Sequence, residues 1–151
     1  MNTQPYEKLQ KFVGTWVGKD TMYPSPFNPR LAEATTTYTG ALALNSMAVI
    51  GNDVQTRAGA PDYLAHKVFG YAPALGKYTF HLFDSTGQNA VSAALGEWDG
   101  DSIAFEQVTP QIRIRFSYSF EGDAHYIFRM QLSADGANWA TVIEGNYLRT
   151  V

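Results

Sequence analysis

His66 and His81 are the side chains with the most chemistry to offer. Setting Ala72 opposite Lys77 across residues 73–76 places Val68 against His81 and His66 against Phe83. The two imidazoles then share one face of a hairpin, diagonally adjacent and within reach of each other. Two imidazoles can hold a metal ion or shuttle a proton. No third ligand is picked out, so no metal is assigned; the alternative is a half-buried pair bonded to a tyrosine or to backbone. Asp84 ends the second strand of this hairpin in Asp84-Ser85-Thr86-Gly87. An Asx-type turn accounts for it, and so does a carboxylate at the mouth of a site close to His81.

Arg113, Arg115 and Arg129 fall on two adjacent strand candidates. A guanidinium fork suits a ligand carboxylate. Equally, the three can lie on a solvated face paired with Glu97, Glu106 or Glu144. Pro24-Ser25-Pro26-Phe27-Asn28-Pro29 is a stiff extended segment. It presents Phe27 either as a lip over a mouth or as a plug in a core. Phe83 and Tyr38 complete the set expected in a lumen or at its mouth: His66, His81, Phe83, Asp84, Arg115, Arg129, Phe27 and Tyr38. No catalytic residue is assigned. There is no nucleophile elbow, phosphate loop, dinucleotide fingerprint or HExxH pair.

These residues need a frame, and the pattern supplies one. Beyond Gly14 the chain alternates with period two and is broken by turn residues. The expected strands are 15–23, 32–40, 42–54, 65–72, 77–84, 90–98, 102–108, 111–120, 125–133 and 139–149. Asp99-Gly100, Glu121-Gly122 and Asp135-Gly136 supply hairpin turns. Short connections make sequence neighbours antiparallel. A meander of this many strands has two exposed edges, which closure into a barrel removes. The expected fold is therefore all-β: one domain over residues 1–151, a closed antiparallel barrel of about ten strands. The one helix candidate is Pro5–Val13, with Tyr6, Leu9 and Phe12/Val13 on one face and Pro5 in the first turn.

Composition narrows the function classes. The chain has 151 residues, 45% of them hydrophobic and 14% aromatic, with a net charge of −3. Its 11 Lys and Arg are scattered, so nucleic acid is not an expected partner. No basic amphipathic stretch and no run of about 18 apolar residues points to a membrane. Cys is absent, which excludes disulfides, thiolate nucleophiles and cysteine metal sites. The start has no signal-peptide pattern, and a cytoplasmic location is the default expectation.

Gly14-Thr15-Trp16-Val17-Gly18 directly after the helix candidate resembles the start of the lipocalin and fatty-acid-binding barrels. That resemblance implies that Trp16 plugs a closed end and that a late arginine, here Arg149, lies across its ring. A wider pattern joins this start to Pro24–Pro29, to Val68–Gly87, to Ser133-x-Asp135-Gly136-x-x-Trp139 and to Glu144-Gly145-x-Tyr147-x-Arg149. It resembles a bacterial family of lipocalin-like barrels known only as a domain of unknown function. This likeness spans most of residues 12–149 and implies a fold without a substrate. A fainter likeness to the haem-binding nitrobindins rests on the same start and on Tyr23-Pro24. Those proteins place an axial histidine near the C-terminus, where this chain has none, and no cofactor is expected. Three readings follow. The first is a carrier of a small apolar or carboxylate-bearing molecule. The second is a small enzyme acting through His81 and Asp84 or an inward arginine. The third is an assembly module that forms a homodimer through an apolar outer face.

Overall fold

The computed structural model describes residues 4–26 and 29–150. Its strands are β1 (Gly14–Met22), β2 (Ala32–Ala43), β3 (Ala48–Thr56), β4 (Tyr63–Ala72), β5 (Lys77–Asp84), β6 (Ala94–Asp99), β7 (Ser102–Val108), β8 (Arg113–Phe120), β9 (His125–Ser133) and β10 (Ala140–Arg149). Each pairs antiparallel with its sequence neighbours, and β1 pairs with β10 to close the barrel. Closure gives every strand a neighbour on each side, although the β5–β6 ladder spans just Tyr78–Phe80 and Ala94–Gly96. Among the described residues no helix is long and apolar enough to cross a membrane.

The expected β2–β3 boundary is displaced. Strand β2 runs on to Ala43, and the reversal falls at Leu44, Asn45 and Ser46, all with positive φ. Asn tolerates that region, and Leu44 enters it with its side chain 73% exposed. The N-terminal segment is also tighter than a plain helix: Gln4–Glu7 is α-helical, but Lys8–Phe12 is 3-10. Three residues per turn stack Leu9 and Phe12 on one side, and both are buried. Phe12 stacks on Phe69 at 3.9 Å between ring centroids. Two hydroxyls tie the segment down: Tyr38 donates to the Phe12 carbonyl and Tyr78 to the Pro5 carbonyl, each at 2.8 Å.

The barrel has two unlike ends. At one, tight turns at 44–47, 73–76, 100–101 and 121–124 surround the N-terminal segment. There Trp16, Phe69, Phe80, Phe105, Phe116, Tyr118 and Phe120 fill the interior. Full burial of each such ring contributes about 2–3 kcal/mol, so this half is a packed core. The connections at the other end, 23–31, 57–62, 85–93 and 134–139, are longer, while 109–112 matches the turns opposite. Interior side chains near that end, such as Gln55, Tyr63, Leu82, Asp84, Ile114 and Met130, are only partly buried.

Candidate functional site

Alternation along a strand decides which side chains meet inside. On β4 the inward set is Tyr63, Ala65, Lys67, Phe69 and Tyr71. On β3 it is Val49, Gly51, Asp53 and Gln55, and on β5 it is Tyr78, Phe80, Leu82 and Asp84. The register sets Ala65 directly opposite Asp53 on one side and Asp84 on the other. Two carboxylates thus flank a methyl group in one row across three strands. Lys67, the next inward position on β4, reaches back: its Nζ lies 2.8 Å from Asp53 Oδ2 and donates to the Tyr118 hydroxyl at 3.3 Å. The ammonium also sits 5.4–5.8 Å from the ring centroids of Tyr38, Tyr118 and Phe128. Asp53 Oδ1 is buried and has no hydrogen-bond partner. Nearer the rim, the Tyr63 hydroxyl donates to Asp84 Oδ2 at 2.8 Å. Asp84 Oδ1 accepts from the Thr86 hydroxyl and backbone N–H.

A second polar cluster lies on β1, β2, β3 and β10. Asp20 is 2% exposed and accepts from Thr36 at 2.5 Å, from Gln55 at 3.2 Å and from Tyr147 at 2.8 Å. Burial raises its pKa, and these donors oppose the rise. For Lys67, burial disfavours the charge, but the Asp53 carboxylate and the neighbouring phenols override it and hold the pKa well above the usual lysine range. Burial pushes the phenols of Tyr38, Tyr118, Tyr126 and Tyr147 upward. Among the described residues, the interior therefore carries the Lys67 ammonium among phenols and the inward acids Asp20, Asp53 and Asp84. Facing this polar wall from β8 and β9 are Ile114, Phe128 and Met130, partly buried and apolar, while Leu82 sits within it opposite Lys67.

Inward glycines make room for these groups. A Cβ on Gly51 or Gly40 would overlap the Tyr38 side chain, one on Gly18 the Tyr147 ring, and one on Gly145 Asp20. Gly40, Gly51, Lys67, Asp53, Asp20 and Tyr118 are what sequence reading did not single out, and Gly18, Gly145 and Tyr147 entered it as motif residues without a role in a site. The available clue was Lys67 in period with Phe69 and Tyr71, which puts a charge on an aromatic face.

The sequence-derived candidates are not brought together. His66 and His81 do share a face of the β4–β5 hairpin, with His66 opposite Phe83 and Val68 opposite His81. That face is the outer wall, so neither histidine lines a lumen, nor does Phe83, which is 45% exposed. His66 bonds Asn52 at 2.8 Å. Consequently His81 and Asp84 stand on opposite sides of the sheet and cannot act on one substrate. Arg115 and Arg129 also point outward, because the inward phase of β8 and β9 is taken by Phe116, Tyr118, Phe128 and Met130. Arg115 stacks on Trp139 at 3.8 Å, and Arg129 pairs with Glu144 at 3.0 Å. Tyr38 is inside, latched to Phe12, and Asp84 is inside at the rim. Phe27 lies outside the described residues. Arg149 crosses the Trp16 ring at 4.3 Å and donates to the carbonyls of Val13 and Asp123 at the packed end. A cleft of about 480 Å³ at the open rim is bordered by Asp20, Glu33, Thr56 and Arg57. Another, of about 430 Å³, lies between the N-terminal segment and Arg149. Among the described residues no three His, Asp or Glu side chains gather into a metal-ligand set.

Comparison with known proteins agrees on architecture. The profile of a family described as a protein of unknown function, DUF1579, matches residues 2–149. No curated protein matches the sequence. The crystal structure of Rv2717c from M. tuberculosis is similar, with a TM-score of 0.70 at 15% identity over 99% of this chain and 97% of that one. An S-type phycobiliprotein lyase, CPES from Guillardia theta, has a TM-score of 0.66 at 8% identity, covering 100% of this chain and 94% of its own. At such identities the likeness is one of fold.

Proposed function

The chain belongs to the DUF1579 family of proteins of unknown function, and from that premise we propose that it binds a small amphipathic molecule in the open half of its barrel. The observation that carries this reading is the division of the interior. The half around Phe12, Phe69 and Phe105 is packed solid with rings. The other half keeps partly exposed side chains of two kinds on facing walls: Gln55, Tyr63, Lys67 and Asp84 against Ile114, Phe128 and Met130. A fold stabilised only by burial has no use for an ion pair and an unpartnered carboxylate oxygen inside. Such groups cost stability unless a partner satisfies them. Apolar surface beside a few placed polar groups is the usual make-up of a ligand pocket.

The test is native mass spectrometry of protein purified from its own host, with extraction of any adduct. The expected result is a small molecule bound one to one and lost in a variant that fills the open half, such as Ala65→Phe. Repeated isolation of unliganded protein, with no binding across a panel of amphiphiles, would overturn the reading.

A further inference from the structure

We infer that the polar end of the molecule held in the open half is a protonated amine, seated between Asp53 and Asp84 beside Ala65; this rests on the ligand-binding reading above. Three observations lead there. The register places the two acids on strands either side of Ala65, their backbones roughly two strand spacings or 9–10 Å apart, with only a methyl group at the position between them. Asp53 is 8% exposed and points inward, yet Lys67 engages only its Oδ2, and Oδ1 has no donor. A carboxylate has about four acceptor sites, and a buried one left short is an unmet demand for an N–H or O–H donor.

The third observation is charge. Asp20, Asp53 and Asp84 point inward, and the inward cation on the same walls is Lys67. Arg115 and Arg129, which would reverse that balance, stand outside with Trp139 and Glu144. Lys67 is itself committed to Asp53 and Tyr118, so among the described inward side chains on these walls an incoming carboxylate finds no free cation and meets like charge at low dielectric. An ammonium gains from the same field and supplies the donors that Asp53 lacks. The wall of Ile114, Phe128 and Met130 then takes the apolar body. This reverses the carboxylate-bearing ligand suggested by the arginines in the sequence.

Isothermal titration calorimetry at neutral pH with dodecylamine, dodecanol and dodecanoate, each below its micelle concentration, separates the cases. The amine should bind about tenfold or more tighter than the carboxylate and at least about threefold tighter than the alcohol. Asp84→Asn, a rim substitution that keeps an acceptor for Tyr63, should bring the amine-to-alcohol ratio toward one. The Asp53→Asn/Lys67→Met pair, which removes the buried charges together, should do the same. Dodecanoate binding tightest, amine and alcohol binding equally, or a preference that survives both variants would overturn the inference and leave a lumen site standing. If none of the three binds, the lumen reading itself falls, and this inference with it.

Discussion

Replacing Lys67 by methionine tests the interior polar node directly. Methionine keeps the aliphatic contact with Tyr38, Tyr118 and Phe128 but removes the ammonium. The Asp53 carboxylate, which already has one oxygen unpartnered, then loses its ion-pair partner as well. Breaking a fully buried pair from one side costs about 3–5 kcal/mol. These side chains are 12% and 10% exposed, which places the expected loss near the lower end, at about 3 kcal/mol. For a domain of this size that lowers Tm by about 6–12 °C. Asp53→Leu alone should cost a similar amount, because it strands the ammonium. The Asp53→Leu/Lys67→Met double variant buries two apolar side chains and should return to within about 1 kcal/mol of the parent. Urea unfolding of all four proteins gives the coupling energy. A Lys67→Met loss below about 1 kcal/mol would show that water reaches the pair and that it is not the desolvated node inferred from its geometry. A double variant as unstable as the two singles combined would refute the pairing itself.

Three further expectations follow from the same interior. Alkaline pH should unfold the barrel steeply: Lys67 and the phenols of Tyr38, Tyr118, Tyr126 and Tyr147 all have folded pKa values raised above their unfolded ones, so their stabilisation is complete below about pH 10 and is lost as pH rises above it. Each group removes about 1.4 kcal/mol per pH unit in that window, so circular dichroism and phenolate absorbance should change together in one transition, and phenolate formation by these residues with the fold intact at pH 10 would contradict it. Gly51→Ala should cost about 1–3 kcal/mol in urea unfolding, because its Cβ would overlap the Tyr38 ring and force it off the Phe12 carbonyl and Lys67; an unchanged midpoint would show that Tyr38 is not held there. His81→Ala should leave stability within about 0.5 kcal/mol and any ligand affinity unaltered, since the imidazole stands on the outer wall, and a lost affinity would return His81 to the site.

Much of the frame was legible before any coordinates. Ten alternating segments, Gly-containing turns and the GxW start specify an antiparallel barrel, because period two is a local property of extended chain and turn residues act locally. The pairing of β4 with β5 was readable from its tight turn, which fixes register, so His66 and His81 were correctly placed on one face. Which face that is was not readable. Alternation says that Ile114, Phe116 and Tyr118 oppose Arg113, Arg115 and Ser117, and curvature then decides that the rings go in. On β4 both phases mix polar and apolar residues, and there, as with His81 and Phe83 on β5, Arg115 on β8 and Arg129 on β9, the sequence assigned the chemistry to the wrong side.

The site itself is a product of closure. Asp53 and Lys67 lie on neighbouring strands joined by the 57–62 connection, whose length and turn signals leave the register open. Tyr118 reaches Lys67 from β8, across the barrel. Tyr147 reaches Asp20 from the far end of the chain through the β1–β10 seam. No local pattern encodes those meetings, because each is set by the registers of several ladders acting together. What the sequence determined by itself is the alternation and the turns, which are properties of neighbouring residues. What only the tertiary structure decided is which carboxylates share the interior with one lysine, because that depends on the sheet curling until its first and last strands meet.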